Sequence, residues 1–235
     1  LYRHNLDGSD GVKMQTILGA VDSIFADGDF IFAESTWGYA NSIHKQTKEL
    51  IRSHDENFGG FAPAPEQNRI YSITRGLTPA SAVYLAYDDS TGQFLSTDSY
   101  DHGARPSQNQ SIWLYPDGQR LIDLSGRVYN ASDMTELGNV ELPDSAGHAL
   151  DVDFTDDGNV TMLTEGHVWA IDSQYKIIGD LEIPNSAFKI FVRDDSLTLF
   201  SEAPSTELGF RETRFSLAAL LPSQIVTEDP GDGVA

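Results

Sequence analysis

Residues Ser111–Gly126 read SIWLYPDGQRLIDLSG, and Leu150–Gly166 read LDVDFTDDGNVTMLTEG. In both, an apolar run meets an Asp-Gly pair, a second apolar run follows, and a small-residue loop closes the unit. Asp-Gly permits the positive-φ backbone of a two-residue hairpin, and flanks of Ile, Val, Leu, Phe and Tyr suit half-buried strands. The unit recurs as Val21–Glu34 (VDSIFADGDFIFAE), as Phe188–Glu202 (FKIFVRDDSLTLFSE) and, more divergently, as Gly60–Arg75 (GFAPAPEQNRIYSITR). Its turns fall near Asp27, Gln67, Asp117, Asp157 and Asp195. That spacing, roughly 40 to 50 residues, fits one propeller blade and exceeds a leucine-rich repeat.

Each hairpin is followed by a further β-type segment: Ser42–Lys45, Val83–Tyr87, Arg127–Asn130, Val168–Asp172 and Arg214–Leu217. Outer strands are expected at Leu50–Ser53, Val140–Leu142 and Gly179–Ile183, giving four strands per unit. A lone four-stranded sheet exposes two apolar faces, and stacking such sheets around an axis buries both. A β-sandwich does not repeat one hairpin pattern at this period. Helical signal is confined to Thr47–His54 and Ser216–Leu220, one or two turns at most. The expected fold is therefore all-β, a β-propeller of about five four-stranded antiparallel blades. The repeats lie near 21–53, 60–98, 111–142, 150–183 and 188–217. Residues 1–18 supply closing strands, chiefly Val12–Leu18, or else belong to a preceding blade of a six- or seven-bladed ring. Residues 222–235, acidic and rich in Pro and Gly, read as a linker towards further domains, and a start at Leu1 rather than Met suggests a processed or excised piece.

The copies carrying Pro116-Asp117-Gly118 and Asp156-Asp157-Gly158 resemble the blade repeats of bacterial exported propellers of the YVTN/YncE-like kind. In those, a Pro-Asp-Gly hairpin joins the two innermost strands. The resemblance covers most of the chain and concerns architecture only, so it implies the fold and little about function.

Thirty-six acidic residues against 15 Lys and Arg give a net charge of −21, which repels phosphate backbones and favours Ca²⁺ or cationic partners. The absence of cysteine removes disulfides, thiolate metal sites and a cysteine nucleophile. An excess of Asp, Ser, Thr, Asn and Gly over Lys suits an extracellular, periplasmic or cell-surface location. The longest apolar runs, such as Phe30–Ala33 and Leu217–Leu221, are too short to cross a bilayer.

No GxSxG, HExxH, P-loop or GxGxxG pattern occurs. Asp153–Glu165 approaches a calcium-loop pattern with Asp153, Thr155, Asp157 and Gly158, but its final carboxylate position holds Thr164, so the segment is read as a blade hairpin. Glu34, Glu165 and Glu202 end the second strand of their units, where Arg75 and Gly126 stand in the others. They would form a cation site at the channel mouth, or each would cap its own turn through backbone N–H groups. Loops that depart from the repeat often carry function. Here Arg75, Tyr100, Asp101, His102 and Arg105, with Trp37 on the same rim, make a candidate glycan or peptide site, or an ordinary self-packed loop. Trp113 and Trp169 are expected in the core, and His148 and His167 as lone structural histidines.

These features point to an extracellular or cell-surface binding or scaffold module, non-enzymatic, with a glycan or protein ligand and further domains in a longer chain. The alternative is a carbohydrate-active hydrolase using Asp22, Asp151 and Asp153 on the innermost strands, which needs paired carboxylates about 5 to 10 Å apart.

Overall fold

The computed structural model describes residues 2–3, 11–13, 17, 19–55, 58–74, 81–100, 111–143, 146, 149–184, 186–202 and 209–220, without the side chains of 2, 3, 12, 52–55 and 97–100. The chain forms two compact units, Leu1–Leu142 and Pro143–Ala235. Among the described residues, all regular structure is β apart from short 3-10 turns.

In the first unit, β1 (Tyr2–Arg3) pairs with β2 (Val12–Lys13), so the start of the expected closing strand lies, among the described residues, in a two-stranded sheet. Three antiparallel meanders follow. Blade one is β3 (Val21–Asp27), β4 (Phe30–Ser35), β5 (Tyr39–His44) and β6 (Leu50–Asp55). Blade two is β7 (Phe58–Ala64), β8 (Arg69–Thr74), β9 (Ala82–Tyr87) and β10 (Phe94–Tyr100). Blade three is β11 (Ile112–Leu114), β12 (Arg120–Asp123), β13 (Arg127–Asn130) and β14 (Glu136–Asn139). In the second unit, blade four is β15 (Ala149–Phe154), β16 (Val160–Thr164), β17 (His167–Ile171) and β18 (Ile177–Glu182). Blade five shows three strands among the described residues, β19 (Ala187–Arg193), β20 (Ser196–Glu202) and β21 (Phe210–Ser216).

Packing follows the expected plan. One apolar cluster joins blades one and two through Phe32, Ala40, Phe58, Ile70, Leu85 and Tyr87. Another joins blades two and three through Tyr71, Ile73, Ile112, Leu121, Tyr129 and Met134. Blade two is thus covered on both faces, which a two-layer sandwich cannot do. A third cluster, including Leu163, Val168, Ile190, Val192, Leu197 and Leu199, joins blades four and five. Fully burying a side chain such as Phe32 contributes about 1.5–3 kcal/mol.

Several boundaries differ from the expectation. Thr47–His54 holds no helix; Leu50 onwards is the outer strand. Blade two has its fourth strand at Phe94–Tyr100, so Ser99 and Tyr100 belong to a strand and not to a connection. In blade three the outer strand ends before Val140, whose N–H donates to Gly126 O at 2.8 Å. Ile183 N to Gly166 O at 2.8 Å and Phe58 N to Gly38 O at 3.1 Å repeat that closure in blades four and one. Gly126 has φ of 85°, and a Cβ there would lie 2.9 Å from Val140 O, so this tight closure requires glycine. The segment after Ser216 is a 3-10 turn, Leu217–Ala219, capped by the Ser216 hydroxyl.

Candidate functional site

The ends of the blades carry different chemistry. At one end lie the turns β3–β4, β7–β8, β11–β12 and β13–β14; at the other lie β4–β5, β8–β9 and the connections between blades.

At the first end, blades two and three bound a cleft of about 490 Å³ lined by Gln67, Arg69, Gly118, Gln119, Asn130 and Ser132. The second hairpin departs from Asp-Gly: Pro65–Gln67 make a 3-10 turn that closes through Asn68 at φ of 51°. Asn tolerates this left-handed conformation. The wider turn carries Gln67 across to blade three, where Nε2 donates to Gly118 O at 2.6 Å. Arg69 starts β8, and its guanidinium lies 4.3 Å from the Tyr84 ring centroid, a cation–π contact. Arg69 Nη1 donates to Ala131 O at 3.3 Å and Ser132 O at 3.5 Å. Its Nε and Nη2 make no hydrogen bond among the described residues. The Tyr71 hydroxyl donates to Ala131 O at 2.8 Å and lies 2.7 Å from Gln67 Oε1; burial raises its pKa against the lowering effect of Arg69.

The blade-three wall is held by its own turns. Asp117 accepts from Gln119 N at 2.8 Å and pairs with Arg120 at 2.9 Å, while Arg120 stacks over Tyr115 at 4.3 Å. Asn130 Oδ1 accepts from the amide and hydroxyl of Ser132, both at 2.9 Å. Among the described residues that line it, every side chain is polar, only Arg69 is charged, and none is an acid. The cleft can hydrogen-bond a ligand and orient it.

The residues singled out from the sequence fall elsewhere. Arg75, Asp101, His102, Arg105 and His148 lie outside the described residues, as does the Tyr100 side chain. Tyr100 pairs in register with Ala82, which places it at the opposite end of blade two from the cleft. Trp37 is 63% exposed in the β4–β5 turn at that same far end, against Gly19.

The three glutamates are not equivalent. Val21, Ala149 and Ala187 pair with Ser35, Thr164 and Ser201, so Glu165 and Glu202 match Thr36, and Glu34 matches Leu163 and Phe200. Glu165 and Glu202 are exposed, whereas Glu34 is fully buried. Its Oε2 accepts from Ser23 Oγ at 2.7 Å and from Gly60 N at 2.9 Å, and Phe61 N donates to Ser23 Oγ at 3.1 Å. Glu34 therefore joins blades one and two. Among the described residues, no group of three or more histidines and carboxylates gathers to hold a metal ion.

The innermost strands β3, β15 and β19 each carry a bulge between their first and third residues. In β15 the residue after the bulge is Asp151, 3% exposed, with Oδ1 2.7 Å from Lys189 Nζ and Oδ2 accepting from Ile190 N at 2.9 Å. Burial raises its pKa, opposed by Lys189 and by the Ile190 N–H. Asp153 Oδ2 accepts from Val192 N at 2.7 Å and Oδ1 from Phe154 N at 2.9 Å. A hydrolase needs carboxylate oxygens turned to substrate. Here Asp151 meets Lys189 Nζ and the Ile190 amide, and Asp153 meets the Val192 and Phe154 amides, so these oxygens are turned to protein groups. Asp22 sits exposed at the bulge of β3.

The calcium-loop resemblance also resolves into a hairpin. Asp153 turns to blade five, while Asp157 accepts from Thr155 Oγ1 and, at 3.0 Å, from Asn159 Nδ2. Trp169 is buried with Nε1 donating to Thr164 Oγ1 at 2.9 Å, and the His167 ring stacks on it at 5.1 Å. Sequence reasoning missed Arg69 and Gln67. The available signal was the replacement of Asp-Gly by Glu66-Gln67-Asn68 in the most divergent repeat.

No protein-family model matches this chain, and no curated protein matches it. Solved structures do. The β-propeller domain of Cps50 (Swd1) from Myceliophteria thermophila aligns with TM-score 0.59 at 13% identity, over 86% of this chain and 73% of that one. KlAtg21, in its complex with the coiled-coil of AgAtg16, aligns with TM-score 0.63 at 12% identity, over 91% and 76%. The computationally designed Ika8 aligns with TM-score 0.57 at 14% identity, over 77% of this chain and 55% of its own. At such identities the likeness carries the fold alone. Blades and likenesses agree that this chain has a β-propeller architecture.

Proposed function

We infer that the protein is a binding or scaffold module that receives a polypeptide segment in the cleft between blades two and three. The observation that carries this reading is a cleft of about 490 Å³ with exclusively polar side chains, centred on an Arg69 pre-positioned over Tyr84. Pre-positioning lowers the side-chain ordering cost of binding. Guanidinium and amide donors match peptide carbonyls and carboxylates. The KlAtg21 complex, in which a propeller of similar architecture holds a coiled-coil, supports a protein ligand. The reading extends to an exported or cell-surface setting, supported by the −21 charge and the absence of cysteine.

The test is selection from a displayed random-peptide library, followed by affinity measurement on Arg69→Ala and Gln119→Ala. Selected peptides should bind the parent and lose about tenfold on Arg69→Ala, the scale of a charge-assisted hydrogen bond. Peptides that bind the variants as tightly as the parent would remove the cleft from the account. A glycan array that responds while no peptide does would replace the ligand class.

A further inference from the structure

Arg69 stands apart from other cations of this acidic chain. Arg120, Arg127, Lys189, Arg193 and Arg214 each pair with a carboxylate. Arg69 pairs with none among the described residues, although the chain carries 36 acids. It is held instead by the Tyr84 ring against one face and by the carbonyls of Ala131 and Ser132 on Nη1. With that face and Nη1 engaged, the Nε–Nη2 edge is left. It presents two parallel N–H donors in a fixed plane, without partners among the described residues. Asn130 adds a third donor. Its Oδ1 is taken by the amide and hydroxyl of Ser132, so Nδ2 is what it offers the cleft.

These donors narrow the class of ligand group. A peptide carbonyl offers one acceptor atom and uses one N–H of the edge. A carboxylate offers two oxygens in a plane and takes both, the bidentate geometry that a guanidinium favours. A phosphate ester also offers two oxygens, but it brings a charge of about −1.5 to −2 at pH 7. One guanidinium does not balance that charge. The exposed Glu66 and Asp133, next in sequence to Gln67 and Ser132, repel the excess. A carboxylate carries the single charge that Arg69 matches.

We propose that the segment bound in this cleft is anchored by one carboxylate, of an Asp or Glu side chain or a chain end, seated on the Nε–Nη2 edge of Arg69 beside the Asn130 amide. This anchor rests on the reading of the cleft as a polypeptide site, and it adds the class of ligand group. The probes are blocked Gly-Gly-X-Gly-Gly peptides with Glu, Gln or phosphoserine at X, and acetylated pentaglycine with a free carboxyl end. Each is titrated into the full chain while the Arg69 Nε–H and Asn130 Nδ2–H₂ resonances are followed. The Glu peptide shifts both saturably and binds about tenfold tighter than the Gln peptide, the margin between a charge-assisted and a neutral hydrogen bond. The phosphoserine peptide binds no tighter than the Glu peptide. Pentaglycine binding tighter than the Glu peptide makes a chain end the source of the carboxylate; the reverse order makes it a side chain. Arg69→Gln brings the Glu and Gln peptides to equal affinity with the cooperative thermal transition kept. Arg69→Lys, which keeps the charge and loses the fork, weakens the Glu peptide. Equal affinities of the parent for the Glu and Gln peptides, with both resonances shifted, overturn the carboxylate and leave the polypeptide cleft standing. Binding that leaves both resonances unmoved, or no binding by any probe, overturns the two together. A phosphoserine peptide about tenfold tighter than the Glu peptide makes the ligand group a phosphate and overturns the carboxylate alone.

Discussion

The seam between blades four and five and the seam between blades two and three are built with opposite polarity. Across the former, Asp151 and Asp153 on β15 reach over and accept from the Ile190 and Val192 amides of β19. Across the latter, Gln67, Arg69 and Tyr71 reach over and donate to the carbonyls of Gly118 and Ala131. A short carboxylate spans only when the strands lie close, as β15 and β19 do. Long donors span a wider gap and leave the cleft between them. The seam between blades one and two follows the first plan through Glu34. The difference teaches that a blade seam closes or opens according to the length and charge of the spanning side chain.

The largest effect is expected where closure is removed. Glu34→Ala leaves Ser23 Oγ without its acceptor and Gly60 N–H unpaired in a buried seam, and urea unfolding should show a loss of about 3 kcal/mol. A change under about 0.5 kcal/mol would break the distinction between the two kinds of seam. Next is Gly92→Ala, in the β9–β10 turn. Its φ is 68°, and a Cβ would lie 2.4 Å from the Phe30 ring, so blade two must draw back from blade one. A loss of about 2 kcal/mol in thermal unfolding is expected.

Asp151 gives the comparison a pH signature. Its folded pKa is raised above the unfolded value, with burial the first cause. Protons therefore bind the folded state more tightly, and the stability Asp151 adds is fully present below the unfolded carboxylate range and lost as pH rises through the folded value. The cost of Asp151→Asn should be greatest at acid pH and shrink towards neutrality. A cost that grows with pH would reverse the assignment and make the Lys189 ion pair dominant. The smallest stability effect belongs to Arg69→Ala at the open seam, about 0.5–1 kcal/mol for a half-exposed cation–π contact. A large loss of stability there would mean that this seam, too, is mainly structural.

Much of the fold was legible in the chain. The turns at Asp27, Asp117, Asp157 and Asp195 announced themselves, because a tight turn and alternating apolar residues are local properties. The outer strand Phe94–Tyr100 escaped notice because QFLSTDSY shows little apolar alternation, and edge positions need little. The site was far less legible. Glu34 and Glu165 occupy similar places in the repeat pattern and different places in their blades, and only the bulges and the pairing register tell them apart. One residue of slip moves a side chain between faces.

The sequence alone determined the repeat, its hairpins, the all-β class and the acidic surface, since each follows from neighbours a few positions apart. The tertiary structure decided that Glu34, Asp151 and Asp153 serve closure and that Gln67 and Arg69 frame an opening. Those assignments depend on partners such as Gly60, Ile190 and Ala131, tens of residues distant. Contacts at that separation leave no periodic trace in the chain, because they are selected by the spacing of packed blades and not by local backbone preference.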